Sequence, residues 1–202
     1  MTENERFLRQ IEVLVEADKE KNILRQTRLS GHGRRENDAE HAWHMALTVY
    51  LLREYANEPF DVSRAILMSL IHDLVEIDAG DTYAYDPEGM KTQAEREEAA
   101  ARRIFGILPP DQEAEMHALF REFEEGKTPE ARFAKVADNF QPLLLNCSNG
   151  GSDWAEHGVG VKAVRRRHQT TRPGSEFIWQ CTERRIRENV KNGNIIDDES
   201  EE

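Results

Sequence analysis

The chain has 202 residues, enough for one domain with a sizeable core. It is 38% hydrophobic and 33% charged, which suits a soluble protein with well-solvated outer faces. A net charge of −12 sets aside a nucleic-acid polymer as the main partner, and the lack of a long apolar run sets aside a membrane span.

Phe7, Leu8, Ile11, Leu14 and Val15 recur at helical spacing and predict a first helix over 3–24. Its first fourteen residues are charged and amphipathic without a signal-peptide pattern, so a cytoplasmic location is expected. A polar loop with Gly31 and Gly33 follows, and Asn37 or Asp38 can cap a second helix that runs through Ala42 to Tyr55. Trp43 on that helix reads as core. Pro59 closes it, and a buried helix is predicted over 62–77, with a turn at Ala79-Gly80-Asp81. A charged helix covers 91–105, with Ala94, Ala101, Ile104 and Phe105 inward.

Pro109-Pro110-Asp111 opens another helix through Phe123, and Pro129 occupies the first turn of a helix through Leu145. After a polar, glycine-bearing loop at 146–153, two further helices are predicted over 154–168 and 176–190. The basic run Arg165-Arg166-Arg167-His168 reads as a solvated helix end, with a phosphate or subunit contact as the sharper alternative. No stretch alternates like a strand and no internal repeat is visible. The expectation is an all-α bundle as one domain over 1–196, followed by an acidic, disordered tail over 197–202. Cys147 and Cys181 lack metal-type spacing and leave free thiols or one disulfide open.

The most informative feature is His72-Asp73, set in a run where seven of the eleven residues from Ile66 to Glu76 are large and aliphatic. A buried, unpaired carboxylate costs several kcal/mol or more, so such a pair calls for a partner cation or a metal ion. Borderline divalent metals accept imidazole and carboxylate together. His41, beside Glu40 at the start of the second helix, is a candidate companion. Asp138 is another, because it interrupts the inward-looking stretch Phe133-Ala134-Lys135-Val136-Ala137. Together these make two histidines and two carboxylates from three helices, with manganese, cobalt, zinc, iron and nickel all admissible. His44, three residues after His41, could join them or pack beside Trp43 and Met45. His32 between two glycines reads as a loop residue, and Tyr83 and Tyr85 either close over a ligand or cover the bundle. No H-E-x-x-H occurs, which argues against a zinc peptidase.

The order Ala39-Glu40-His41, His72-Asp73, Asp138 resembles the HD-domain metal-dependent phosphohydrolases and their pattern H…HD…D. Glu36-Asn37-Asp38-Ala39-Glu40-His41, His72-Asp73-Leu74-Val75-Glu76 and Gly80-Asp81 resemble the 5′-deoxynucleotidase branch and small bacterial HD hydrolases, over roughly 23–146. The resemblance implies an HD-type helical bundle in which His41, His72, Asp73 and Asp138 bind one divalent cation. It gives Glu76 a role beside the attacking water and Asp81 a contact with the nucleotide sugar. It also implies a homodimer acting on a small phosphomonoester, a (deoxy)nucleoside 5′-monophosphate. The Arg-Trp pair of the deoxynucleotidases is absent. The corresponding segment reads Arg25-Gln26-Thr27-Arg28-Leu29, so Arg28, Arg25 and, in the next loop, Arg34 are the candidates for the phosphate. Other phosphoesters (nucleoside triphosphates, cyclic nucleotides, alarmones) and a non-catalytic metal-stabilised module are the alternatives.

Overall fold

The structure is a computed structural model that describes residues 1–199. Helix α1 (Glu3–Ala17) begins at a reciprocal cap, in which the Thr2 hydroxyl accepts from the Glu5 N–H and the Glu5 carboxylate accepts from the Thr2 N–H. It stops at Ala17 rather than near 24, because Asp18–Asn22 tighten into a 3-10 turn and the chain then extends. The apolar stripe of α1 faces outward: Phe7, Leu8, Ile11, Leu14 and Val15 are exposed, and Val13 is the hydrophobic side chain this helix buries. Polar ties hold α1 instead. Arg6 pairs with Asp111 at 2.6 Å and Arg9 donates to the Leu108 carbonyl at 3.1 Å.

Strands β1 (Leu24–Arg28) and β2 (Arg35–Asn37) pair antiparallel, a small hairpin that the sequence did not announce. Both are polar and short, so no period-two pattern marks them. Side chains from elsewhere pin the hairpin. Asn149 donates to the carbonyls of Arg28 and Leu29 and accepts from the N–H of His32, which holds a left-handed φ of 57° between its two glycines.

Asn37 caps α2 (Asp38–Leu52), accepting from the Glu40 N–H at 2.9 Å while Glu40 accepts from the Asn37 N–H. The inner face of α2 carries His41, Ala42, Met45 and Val49, which turns Trp43 outward to 64% exposure and overturns its reading as core. Helix α3 (Val62–Ile71), capped by Asp61, packs on α2 and ends earlier than its apolar run. From there the backbone bonds reach back three residues: the Leu74 N–H bonds the Ile71 carbonyl and the Glu76 N–H bonds the Asp73 carbonyl. The predicted 62–77 helix is therefore two pieces, with His72-Asp73 at the break before the single turn α4 (Glu76–Ala79). Gly80, at a φ of 74°, ends α4.

Helices α5 (Met90–Phe105) and α6 (Pro110–Glu125) cover one flank. Helix α7 (Pro129–Ser148) is capped by the Thr128 hydroxyl, has proline in its first turn, and contacts both α2 and α3. The predicted 154–168 helix splits at Gly158, which adopts a left-handed φ of 60°, into α8 (Ser152–His157) and α9 (Val161–His168). The turn α10 (Thr171–Gly174) and helix α11 (Glu176–Lys191) complete the order. The core runs through Met45, Val49, Met68, Phe105, Phe133, Ala137 and Ile186. The fold is all-α apart from the hairpin.

The acidic stretch after 196 begins in contact with the bundle. Asp198 accepts from the Lys162 N–H at 3.0 Å and Glu199 pairs with Arg165, while the last three residues of the expected tail lie outside the described residues. Both cysteines are free thiols. Among the described residues no helix is long and apolar enough to cross a membrane.

Candidate metal centre and its cavity

The inner faces of α2 and α7 and the break after α3 bring His41, His72, Asp73 and Asp138 together. His41 Nε2 lies 3.3 Å from Asp138 Oδ1 and 3.9 Å from Asp73 Oδ2. His72 Nε2 lies 3.0 Å from Asp73 Oδ1 and 4.0 Å from Asp138 Oδ1. All four residues are buried. The other ring nitrogen of each histidine is occupied: His41 Nδ1 meets Gln141 Oε1 at 2.8 Å and His72 Nδ1 meets the Ser69 carbonyl at 3.0 Å. Both acceptors require an N–H at Nδ1, so Nε2 is the ring atom turned towards the carboxylates.

Those Nε2 atoms are buried and make no hydrogen bond, although carboxylate oxygens lie within 3.3 Å. His41, His72 and Asp73 offer ligand atoms within 4.8 Å of one another, and Asp138 Oδ1 lies 3.3 and 4.0 Å from the two imidazole nitrogens, a donor set suited to a divalent cation. Burial, then Arg25, holds His41 below its ordinary value, in the neutral form a ligand needs. Burial works against a charged His72 too, but Asp73 and Asp138 override it and push His72 up to about 9, so a positive charge is favoured at this point.

A second ring of acids surrounds the first. Asp38, Asp73 and Glu76 offer oxygens within 4.8 Å of one another. Arg25 from β1 reaches into them, 2.8 Å from Asp73 Oδ2, 3.4 Å from Asp38 Oδ1 and 3.7 Å from Glu36 Oε1. Burial first, then Asp73 and Asp38, raises Glu76 to about 12, and its Oε2 has no partner. Burial likewise raises Asp38 and Glu36, each to about 7. One guanidinium does not balance so many carboxylates, which is the electrostatic counterpart of the orphaned nitrogens.

Arg25, His72, Asp73, Glu76 and Asp138 of this cluster border a cavity of about 1030 Å³, with His41, Asp38 and Glu36 buried behind them. Glu76 and Asp81 line it, Asp81 directly after Gly80, with burial raising its carboxyl and Arg25 opposing that. Tyr83 and Tyr85 also line it, edge to face at 5.3 Å, and Trp154 donates to the Tyr85 hydroxyl at 3.4 Å. The three candidate phosphate arginines separate. Arg25 lines the cavity among its carboxylates. Arg28 sits 3.4 Å from Glu156 and 3.8 Å from Asp153, and Arg34 pairs with Glu40 on the surface; neither borders the cavity.

His44 stands aside from the metal group: it bonds the Gln141 amide at 3.1 Å. Sequence reasoning assigned nothing to Gln141, which accepts from His41 and donates to Glu36 at 3.0 Å. It also missed the buried roles of Glu36 and Asp38, although their motif had been singled out. The basic run divides: Arg165 pairs with Glu183 and Glu199, while Arg166, Arg167 and His168 line the cavity. Val161, Val164 and His168 are the buried face of α9, and Arg167, one residue from His168, follows from that spacing.

The HD domain family matches residues 17–179. The crystal structure of the "Predicted metal-dependent phosphohydrolase" of Magnetospirillum magnetotacticum MS-1 superposes with a TM-score of 0.90 at 45% identity, covering 94% of this chain and 95% of that one. A 5′-deoxynucleotidase of Mus musculus is 29% identical over 109 residues, which are 54% of this chain and 53% of the relative. This chain thus spans about half the length of the curated relatives it matches. An HD-domain phosphohydrolase of Listeria innocua shares the fold with a TM-score of 0.58 at 16% identity, covering 90% of this chain and 85% of that one.

Proposed function

The chain belongs to the HD domain family, and from that premise we propose that it is a metal-dependent phosphohydrolase acting on a (deoxy)nucleoside 5′-monophosphate. The observation that carries this reading is the convergence of His41, His72, Asp73 and Asp138, with His72, Asp73 and Asp138 bordering one cavity beside Glu76. The structurally similar Magnetospirillum protein supports the reaction class, and the matched 5′-deoxynucleotidases support the substrate class.

In this reading His41, His72, Asp73 and Asp138 would hold one divalent cation, which would supply Lewis-acid stabilisation of phosphoryl charge and acidify nearby water. The same positive charge would lower the raised Glu76 carboxyl, so that its unpartnered Oε2 could take the proton of the attacking water. Arg25 offsets the charge of Asp73 and Asp38, so the acids remain close enough to act together. Asp81 meets the sugar, and Tyr83 offers a flat face at the cavity wall. Of the two roles left open by the sequence, Tyr83 takes the ligand-covering one in this reading, while Tyr85 also packs against the bundle core. The protein acts as a homodimer in this reading, supported by the outward apolar row Trp43, Leu47, Tyr50 and Leu51 on α2.

The test is phosphate release from ribo- and deoxyribonucleoside mono- and triphosphates, using metal-stripped protein restored with manganese, cobalt or zinc. Metal-dependent release from monophosphates is expected, and Glu76→Gln should slow turnover by roughly 100-fold or more while the bound metal stays. Release from triphosphates alone would move the substrate class, and no release with stoichiometric metal would sink the hydrolase reading.

A further inference from the structure

A phosphate approaching this cavity faces Asp73, Glu76, Asp81 and Glu97, so it needs an opposing cation that is not already spent. Arg25 is committed to three carboxylates, Arg28 sits between Glu156 and the cavity residue Asp153, Arg34 pairs with Glu40 on the surface, and Arg132 lines the cavity but pairs with Glu58 at 3.0 Å. Lys135 lines it but sits 3.7 Å from Glu124 and over the Phe123 ring. The opposite wall, α9, is different. Its buried residues Val161, Val164 and His168 anchor the helix against the bundle, and Arg166 and Arg167, between Val164 and His168, border the cavity.

Arg167 places Nη2 3.2 Å from Asp138 Oδ2, its one ion pair among the described residues, and its side chain remains 37% exposed. Arg166 lines the same cavity and makes no hydrogen bond or ion pair among the described residues. A guanidinium has five donors in a planar fork, so one carboxylate contact leaves Arg167 able to bond two phosphate oxygens. Resting on the phosphohydrolase reading, we propose that Arg167 receives the phosphate of the phosphomonoester substrate beside Asp138, and that Arg166 supplements its charge nearer the mouth. The phosphate-binding side of the site is then α9, and Arg25 serves the acidic cluster.

The test is calorimetric titration of inorganic phosphate into manganese-loaded wild type, Arg166→Gln, Arg167→Gln and Arg167→Lys. Metal content and melting temperature are measured on each protein. Arg167→Gln should weaken phosphate binding by roughly tenfold or more, since a lost charged hydrogen bond costs on that order. Arg167→Lys should recover part of the loss because it keeps the charge without the fork, and Arg166→Gln should give a smaller loss. Binding of a phosphate-free nucleoside should not change, which a general loosening of the cavity would not allow. Equal phosphate affinity in wild type and Arg167→Gln, a loss that merely follows lost metal, or no phosphate binding by the wild type would overturn the assignment. The titration needs no turnover. A wild type that binds phosphate through Arg167 yet hydrolyses no ester would therefore sink the hydrolase reading and leave the anion site standing.

Discussion

Gln141 shows how much a single buried side chain decides. Its amide nitrogen donates to Glu36, which fixes the flip of the amide and presents Oε1 to His41. That contact holds the proton on Nδ1 and keeps Nε2 free towards Asp138. Replacing Gln141 with alanine should weaken metal binding by about 10- to 100-fold, the usual cost of losing a partner that orients a ligating histidine. Competition with a chelator measures this directly, and unchanged affinity would mean that the ring is held by packing alone. Nothing local in the sequence marks Gln141. A faint signal lies next to it: Pro142 stands inside α7 four residues after Asp138. It has no N–H to bond the Asp138 carbonyl, so the helix lacks one internal bond where the candidate site lies.

Among the elements, α7 carries most of the positional burden, because Asp138 and Gln141 both project from it. Its placement depends on α10. A side chain at Gly174 would come within 2.6 Å of the Arg132 carbonyl and of Val136 Cγ2, so the two backbones meet closely. Gly174→Ala should therefore push α10 off α7 and destabilise the protein by roughly 1–3 kcal/mol, the usual range for overpacking. Thermal unfolding of the metal-free form tests it, and an unaltered melting temperature would show that α10 yields freely. The break after α3 matters in the same way. His72 still follows the helix, its N–H bonding the Met68 carbonyl, and the tighter turn begins beyond it, with the Glu76 N–H on the Asp73 carbonyl.

On the scale of the whole molecule, the candidate ligands tie α2, the α3–α4 break and α7 into one unit. A cation bound there stabilises the native state by mass action, about 4 kcal/mol at a thousand times its dissociation constant. For a chain of this size that amounts to a rise in melting temperature on the order of 10 °C. The gain should disappear in His72→Ala, and equal melting with and without metal would remove the cation from the account of stability. The outward face of α2 supports association of two copies. Sedimentation should give a dimer, and Leu47→Lys together with Leu51→Lys should give a folded monomer. A monomeric wild type would leave that face without a subunit partner.

Local sequence signals alone establish that the chain is helical, where most helices begin, and which ionisable residues stand out against an apolar background. Caps, prolines and 3.6-residue spacing are local, so Asn37, Asp61 and Pro129 could be read without a fold. An embedded His-Asp pair is conspicuous because burying charge is costly. Orientation was beyond their reach. The stripe of α1 and Trp43 point outward because burial depends on which neighbour covers a face, and periodicity names a face without naming its cover. The hairpin stayed hidden because Asn149, more than a hundred residues away, holds it in place. It takes the packed helices to bring Gln141 onto His41, to enclose Arg25 among acids, and to set Arg166 and Arg167 along the cavity. Each of those outcomes depends on distances between elements far apart in the chain, and no local pattern encodes them.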